Sequence, residues 1–340
     1  MTAASSRGRF RAALRGIRHW LPGLLLAFSA PAFASDERAE LDSIYALLGS
    51  RRFTEAREQW NRLIPRLQST LGGPPGEAPE AGEERQRRVA EAQFVQGLLA
   101  ARFGTREEAL GLLRQADGNG FPPLDSPLMI LAADTLLELD EPALAARAYG
   151  EALERTPGAA AVRVRRGAAL LAAGRAAAAE AELERVGRES ADTPQAAYWL
   201  GALRFEQKRV DEAKALLERE LASDPQCVGC IAKLAHVAYL AGDDGRCEGL
   251  LRRAMALDPA QAEAHLVAGM LASRAGRYDQ AIAHLSRVVE QAGRSAAAHY
   301  QLALAYRRRG DADKAREHQA IYDRLVAEQK AKTLGVRGAE

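Results

Sequence analysis

The stretch AEAHLVAGMLASRAGRYDQAIAHLSRVVEQAGRS, residues 262–295, decides how this chain folds. Its apolar residues recur at helical spacing on both sides of Gly276, which interrupts the pattern and marks a turn. Two small residues, Gly269 and Ala281, stand 12 positions apart across that turn, so they fall on successive antiparallel helices. Small side chains there let the two helices approach closely. Leu285 follows Ala281 by four positions, one helical turn further along the same face.

Outward from this stretch the pattern repeats every 34 residues without a gap, in units starting at Ser126, Ala160, Pro194, Val228, Ala262 and Ala296. The small pairs are Ala133 with Ala145, Gly167 with Ala179, Gly201 with Ala213, Ala235 with Cys247, and Ala303 with Ala315. The bulky site is taken by Tyr149, Leu183, Leu217 and Leu251, the turns are marked by Gly174, Gly242 and Gly310, and Pro157, Pro225 and Pro259 close their units. The chain is rich in Ala, so a single match means little; six consecutive units in one register are decisive.

These residues resemble the tetratricopeptide repeat (TPR) family, whose 34-residue helix-turn-helix unit has this spacing of small, small, bulky and Pro. The resemblance implies an all-α fold, an α-solenoid of antiparallel helix pairs forming a TPR superhelix. It also implies a chain that holds other proteins and is no enzyme. One departure is consistent: the family's Trp near the start of the first helix is replaced by Met129, Arg163, Ala197, Ile231, His265 and His299.

Read in this register, residues 126–159, 160–193, 194–227, 228–261 and 262–295 are regular units. Residues 90–125 fit the same template, with two extra residues around Phe121-Pro122-Pro123. Residues 35–71 read as a degenerate helix pair in which Trp60 fills the bulky site. Between them, 72–89 reads as a Gly/Pro-rich linker running into a charged helix start. The last unit, 296–332, has an extended polar C-terminal helix with Gln319 at the bulky site, followed by a disordered tail at 333–340.

The first 34 residues have the anatomy of a secretory signal peptide. Arg7, Arg9, Arg11, Arg15 and Arg18 precede an apolar stretch from Leu21 to Phe28 and a small-x-small end at Ala32-Phe33-Ala34. The apolar run from Trp20 to Ala34 is shorter than the ~20 residues of a spanning helix and contains Pro22 and Pro31, so cleavage after Ala34 is expected, with no stable membrane insertion afterwards. The chain is therefore expected to be exported, with the periplasm as its first address; secretion, or anchoring by an uncleaved leader, are the alternatives. The chain holds 47 basic and 45 acidic residues, and the leader accounts for five Arg and no acid. The remainder carries 42 against 45, a net charge of about −3, which argues against nucleic acid as a partner.

The resemblance also implies where a partner binds, because family members line their concave surface with set positions of each first helix. Carried onto this chain, those positions give Tyr198, Ala202, Phe205, His236, Tyr239, Leu266, Met270, Tyr300 and Leu304, and upstream Ile130, Leu137, Val164 and Leu171. The groove so composed is apolar and aromatic. Only Lys233, Arg165 and Arg308 approach the basic pattern with which some family members grip a terminal carboxylate, so an apolar or amphipathic peptide segment suits it better.

Cys227-Val-Gly-Cys230 is a C-x-x-C at the start of a first helix, where the dipole lowers a thiolate pKa. It can be a structural disulfide, a pair of inert thiols or a redox couple; the last would make the chain a periplasmic thiol-disulfide or cytochrome-maturation accessory factor. No His follows the second Cys and no second pair completes a zinc site. Cys247 occupies a small-residue site and reads as a buried substitute for Ala. His265 and His299 occupy equivalent positions one unit apart and could face each other; two stacked His can titrate or bind a metal, but in a slot that usually holds Trp they read as core fillers. No hydrolase, zincin or phosphate-loop motif is present, so no catalytic residue, metal or cofactor is expected.

Overall fold

The computed structural model describes residues 35–70, 79–119, 121, 126–291 and 293–337. The leader expected at 1–34 lies outside these residues. The described residues form helices and turns with no strand among them. In chain order the helices are α1 (Ser35–Gly49), α2 (Phe53–Thr70), α3 (Pro79–Phe103), α4 (Arg106–Gly118), α5 (Ser126–Glu138), α6 (Pro142–Arg155), α7 (Ala160–Ala172) and α8 (Ala176–Glu189). They continue as α9 (Ala196–Glu206), α10 (Val210–Ser223), α11 (Val228–Leu240), α12 (Asp244–Leu257), α13 (Ala262–Arg274), α14 (Tyr278–Gln291), α15 (Ala296–Arg309) and α16 (Ala312–Arg337). The fold is an all-α solenoid.

The helix start expected within residues 72–89 falls at Pro79, and residues 72–78 lie outside the described residues. Pro79 suits a first helical position because its missing N–H has no partner to lose there and its φ is already helical. The tail expected to be disordered from 333 is instead helical as far as Arg337, with 338–340 outside the described residues.

The described residues divide into two compact units, one ending at Asp140 and the other starting at Glu141. In the first, α1 pairs with α2 and α3 with α4, and α5 packs against α1 and α3. Gly97 on α3 shows why a small residue is needed: a Cβ there would stand 2.8 Å from Leu113 of α4. Thr105 caps α4 by accepting the Glu108 N–H at 3.2 Å.

In the second unit α6 packs on α7, and the pairs α7/α8, α9/α10, α11/α12, α13/α14 and α15/α16 follow. First helices also contact the next first helix: α7 meets α9, α9 meets α11, α11 meets α13 and α13 meets α15. Among the described residues no two second helices make a comparable approach. A stack whose first helices stand closer than its second helices curves with the first helices inside, so α7, α9, α11, α13 and α15 form the inner wall of this unit.

Within each pair the bulky residue seats in a notch left by the small one. A Cβ added to Gly167, Gly201 or Gly269 would lie 2.7, 3.1 and 2.5 Å from Cγ of Leu183, Leu217 and Leu285 respectively. At Gly201 and Gly269 the backbone carbonyls of Ala213 and Ala281 come within 3.3 Å of the same point, so the second small residue lets its own backbone approach. Leu183, Leu217 and Leu285 are fully buried, each contributing about 1.5–3 kcal/mol.

The turn between paired helices requires left-handed backbone at one position. Gly174, Gly242, Gly276 and Gly310 supply it with φ of 75°, 76°, 74° and 101°. The equivalent positions 34 residues apart are held by Asp140 and Lys208, with φ of 56° and 64°. Ion pairs then tie one helix pair to the next: Arg246 to Glu218 at 2.9 Å, Arg309 to Asp279 at 2.8 Å, and Arg274 to Asp244.

Candidate partner-binding surface

Of the positions expected to meet a partner, those from Val164 to Leu304 lie on first helices of the second unit, at different depths, and Ile130 and Leu137 lie on α5 of the first. Phe205 on α9 is buried, packed with Ala213, Val237 and Val210, and so belongs to the core. Tyr198 on the same helix packs against the cluster of Leu217, Leu234 and Cys230, its ring seated over Gly229 within the C-x-x-C. Burial raises the Tyr198 hydroxyl pKa. These two rings anchor repeats to one another.

Further along, the wall opens. His236 and Tyr239 on α11 and Leu266 and Met270 on α13 are half-buried, and Tyr300 on α15 is 40% exposed. Leu266 and Met270 stand four residues apart and share one helix face, and Tyr300 holds on α15 the slot that Leu266 holds on α13. The Tyr300 ring lies 5.2 Å from that of Tyr322 on α16. Leu240, at the end of α11, is 55% exposed.

This surface is more polar than its composition promised. Glu263 of α13 accepts from His236 Nδ1 at 2.8 Å and from Lys233 Nζ at 3.2 Å. Burial works to raise the Glu263 pKa, but the His236 hydrogen bond and the Lys233 charge outweigh it and hold the carboxyl below its ordinary range. Lys233 also lies 5.2 Å from the Phe205 ring centre, and the His236 ring lies 4.8 Å from that of Phe205. Arg274 spans the next step: its guanidinium covers the Tyr239 ring at 4.0 Å and donates to the Tyr239 carbonyl at 2.9 Å. Rings and charges are therefore tied to one another along these helices.

Cys227 and Cys230 form a disulfide with Cα atoms 5.3 Å apart. Cys227 is the N-cap of α11, and its sulfur accepts the Cys230 N–H at 3.2 Å. Cys230 is fully buried, and Cys227 half-buried. Cys247 is unpaired and buried, with its thiol pushed up to about 11 by that burial, so it carries no thiolate at neutral pH.

The structure does not join His265 to His299, a pairing the sequence left open. Each instead meets a histidine on the second helix of its own pair: His265 with His284, and His299 with His318. In both cases the residues lie 19 positions apart across the intervening turn, a spacing that carries no meaning until the helices are placed. Arg163 and Glu182 keep the same 19-residue spacing, joined at 2.8 Å. The slot usually filled by Trp thus faces a fixed position on the second helix.

The helix pairs, their 34-residue register and the inner wall of side chains define a solenoid scaffold for protein–protein interaction. Tetratricopeptide repeat models match residues 136–203, 181–226, 234–293 and 266–329, together more than half the chain. The chain belongs to the tetratricopeptide repeat family. No curated protein matches it in sequence. Among solved structures it is similar to a tetratricopeptide repeat protein from Parabacteroides merdae ATCC 43184, with a TM-score of 0.56 and 13% identity over 80% of this chain and 99% of that one. It is also similar to a thermophilic TPR protein of Thermus thermophilus, with a TM-score of 0.44 and 23% identity over 53% of this chain and 98% of that one. A third is YrrB, described as a TPR protein with an unusual peptide-binding site, with a TM-score of 0.36 and 20% identity over 56% and 99%. At these identities the likeness concerns the fold alone.

Proposed function

We propose that the chain is a non-enzymatic adaptor of the cell envelope, and that the inner wall of its second unit binds an apolar or amphipathic segment of another protein. The observation that carries this is the run Tyr239, Leu266, Met270 and Tyr300, which leaves apolar side chains partly open on three successive first helices. The network of Lys233, His236 and Glu263 beside it supplies polar anchors at fixed positions. Large anchors in partly desolvated surroundings are where binding energy concentrates.

Selection of a random-peptide library on the folded chain is expected to enrich apolar or amphipathic sequences. Their affinity is expected to fall at least about tenfold, roughly 1.4 kcal/mol, on Tyr239→Glu with Met270→Glu, with helicity unchanged by circular dichroism. Peptides indifferent to that double substitution would remove the groove from consideration. The same assay on a Cys227→Ser, Cys230→Ser chain bears on the thiol-disulfide reading. The burial of Cys230 and the Tyr198 ring beside the pair support a structural staple, so peptide binding should persist at about one-half or more of its original affinity, a change of less than roughly 0.5 kcal/mol. The envelope location rests on the leader-like residues 1–34; deleting them should move the chain from the envelope fraction to the cytosol, and an unchanged distribution would exclude export by that segment.

A further inference from the structure

We propose that His265 with His284, and His299 with His318, form two equivalent sites for a divalent late transition-metal ion such as copper(II) or zinc(II). The chain has six histidines, and four of them make these two pairs, with both members displaced by 34 residues from one pair to the next. The geometry is reproduced as well. Nδ1 faces Nδ1 at 3.0 Å in the first pair and 2.9 Å in the second, and in each the rings are 5.2 Å apart at 35°.

The inner histidine of each pair is already oriented as a ligand. His265 Nε2 donates to the Pro259 carbonyl at 2.9 Å, and His299 Nε2 to the Gly293 carbonyl at 3.2 Å. A ring that keeps its proton on Nε2 presents a lone pair at Nδ1, and a backbone carbonyl in this role is a common outer partner of metal-bound imidazole. Without metal, the outer histidine must donate from its own Nδ1 to that lone pair. Two nitrogens bound at about 2.0–2.1 Å to one ion stand about 2.9 Å apart at a right angle and about 3.3 Å apart in a tetrahedron. The observed separations fall within a few tenths of an ångström of both.

Binding requires both rings to tilt, so that their Nδ1 lone pairs converge on one point beside the N–N line, and a proton to move. The outer ring moves its proton from Nδ1 to Nε2 by exchange with water, both Nδ1 lone pairs then bind the ion, and no net proton is released from a neutral pair. His265 and His299 are buried, while His284 and His318 are half-buried, so an ion enters from the outer side and completes its shell with water. Burial lowers the pKa of His284 and His318, with the facing His265 and His299 adding to the effect. The charged groups facing these rings are Arg287 at His284, and Lys314 and Glu317 at His318, where Tyr306 also stacks at 5.4 Å. No group of three or more His, Cys, Asp or Glu able to hold a metal occurs among the described residues, so these are two-ligand sites with open positions. Nitrogen donors favour copper, nickel and zinc over the oxygen-seeking ions.

The fold does not need histidine here. Met129, Ala197 and Ile231 fill the inner slot in other repeats, and Arg163 with Glu182 fills it with a salt bridge. The test is equilibrium dialysis of the tag-free, chelator-treated full chain against copper(II) and, separately, zinc(II). Two equivalents are expected for the native chain, one for His284→Gln, and none for His284→Gln with His318→Gln; Gln keeps a polar group of similar size, and helicity confirms folding. His236→Ala should still bind two. The copper form should show nitrogen splitting from two imidazoles in its electron paramagnetic resonance spectrum. Unchanged stoichiometry in the double variant, or no uptake by the folded native chain at tens of micromolar metal, would overturn the proposal.

Discussion

Leu285→Ala is expected to destabilise the second unit by about 2–5 kcal/mol, read as a shift in its denaturation midpoint. Leu285 is fully buried, and its Cγ occupies the space where a Cβ on residue 269 would stand. Truncating it leaves a void that the neighbouring backbone cannot close, because the Ala281 carbonyl already limits the approach of the two helices. Gly269→Ala alone is expected to cost about 1–3 kcal/mol by overpacking. The two substitutions together should cost clearly less than their sum, since the new methyl group enters the space the leucine left. Strict additivity would show that the notch and the side chain are not the coupled pair that the repeat spacing implies.

The second large effect concerns Arg204. Its side chain is only 6% exposed, yet it pairs with Glu180, with Glu184 at 2.6 Å and with Glu212 at 3.5 Å, and donates to Gln207 at 2.9 Å. Arg204→Met keeps the length and the apolar stem but removes the buried cation that three carboxylates share, leaving Glu180 and Glu212 to Arg209 and Glu184 to Arg188. The expected loss is about 2–3 kcal/mol, reduced at high salt because the acidic partners are partly exposed. Arg185→Met, which removes an exposed helical pair with Glu189, should change stability by less than about 0.5 kcal/mol. Equal effects at the two sites would show that burial of the guanidinium contributes nothing.

Residues 262–295 carry the fold openly because a solenoid repeats its constraints. Each notch, bulky residue and turn is stated several times, so an exception such as Cys247 at a small site is outvoted by its equivalents. What stays hidden in the sequence depends on relations across a turn or on depth. Asp140 and Lys208 adopt the left-handed turn without glycine, because neighbouring helices dictate the backbone there whatever the residue prefers. His284 and His318 give no signal of their own, because their partners lie on the paired helix, a relation invisible until the turn sets the register. The repeat register places Tyr198 and Phe205 on the correct helix, but periodicity names a face and not how far a neighbour covers it. Glu263 joins Lys233 and His236 only through the contact of one first helix with the next.

Because the first helices touch only in succession, each helix pair in the second unit is held mainly by its immediate neighbours. Opening can then begin at an end and travel inward in steps, with no single event required to melt the whole. A segment lying across α11, α13 and α15 would fasten three such steps together. Its arrival would be felt in hydrogen exchange well beyond the residues it touches, as slowed opening of the terminal pair as well as of the groove.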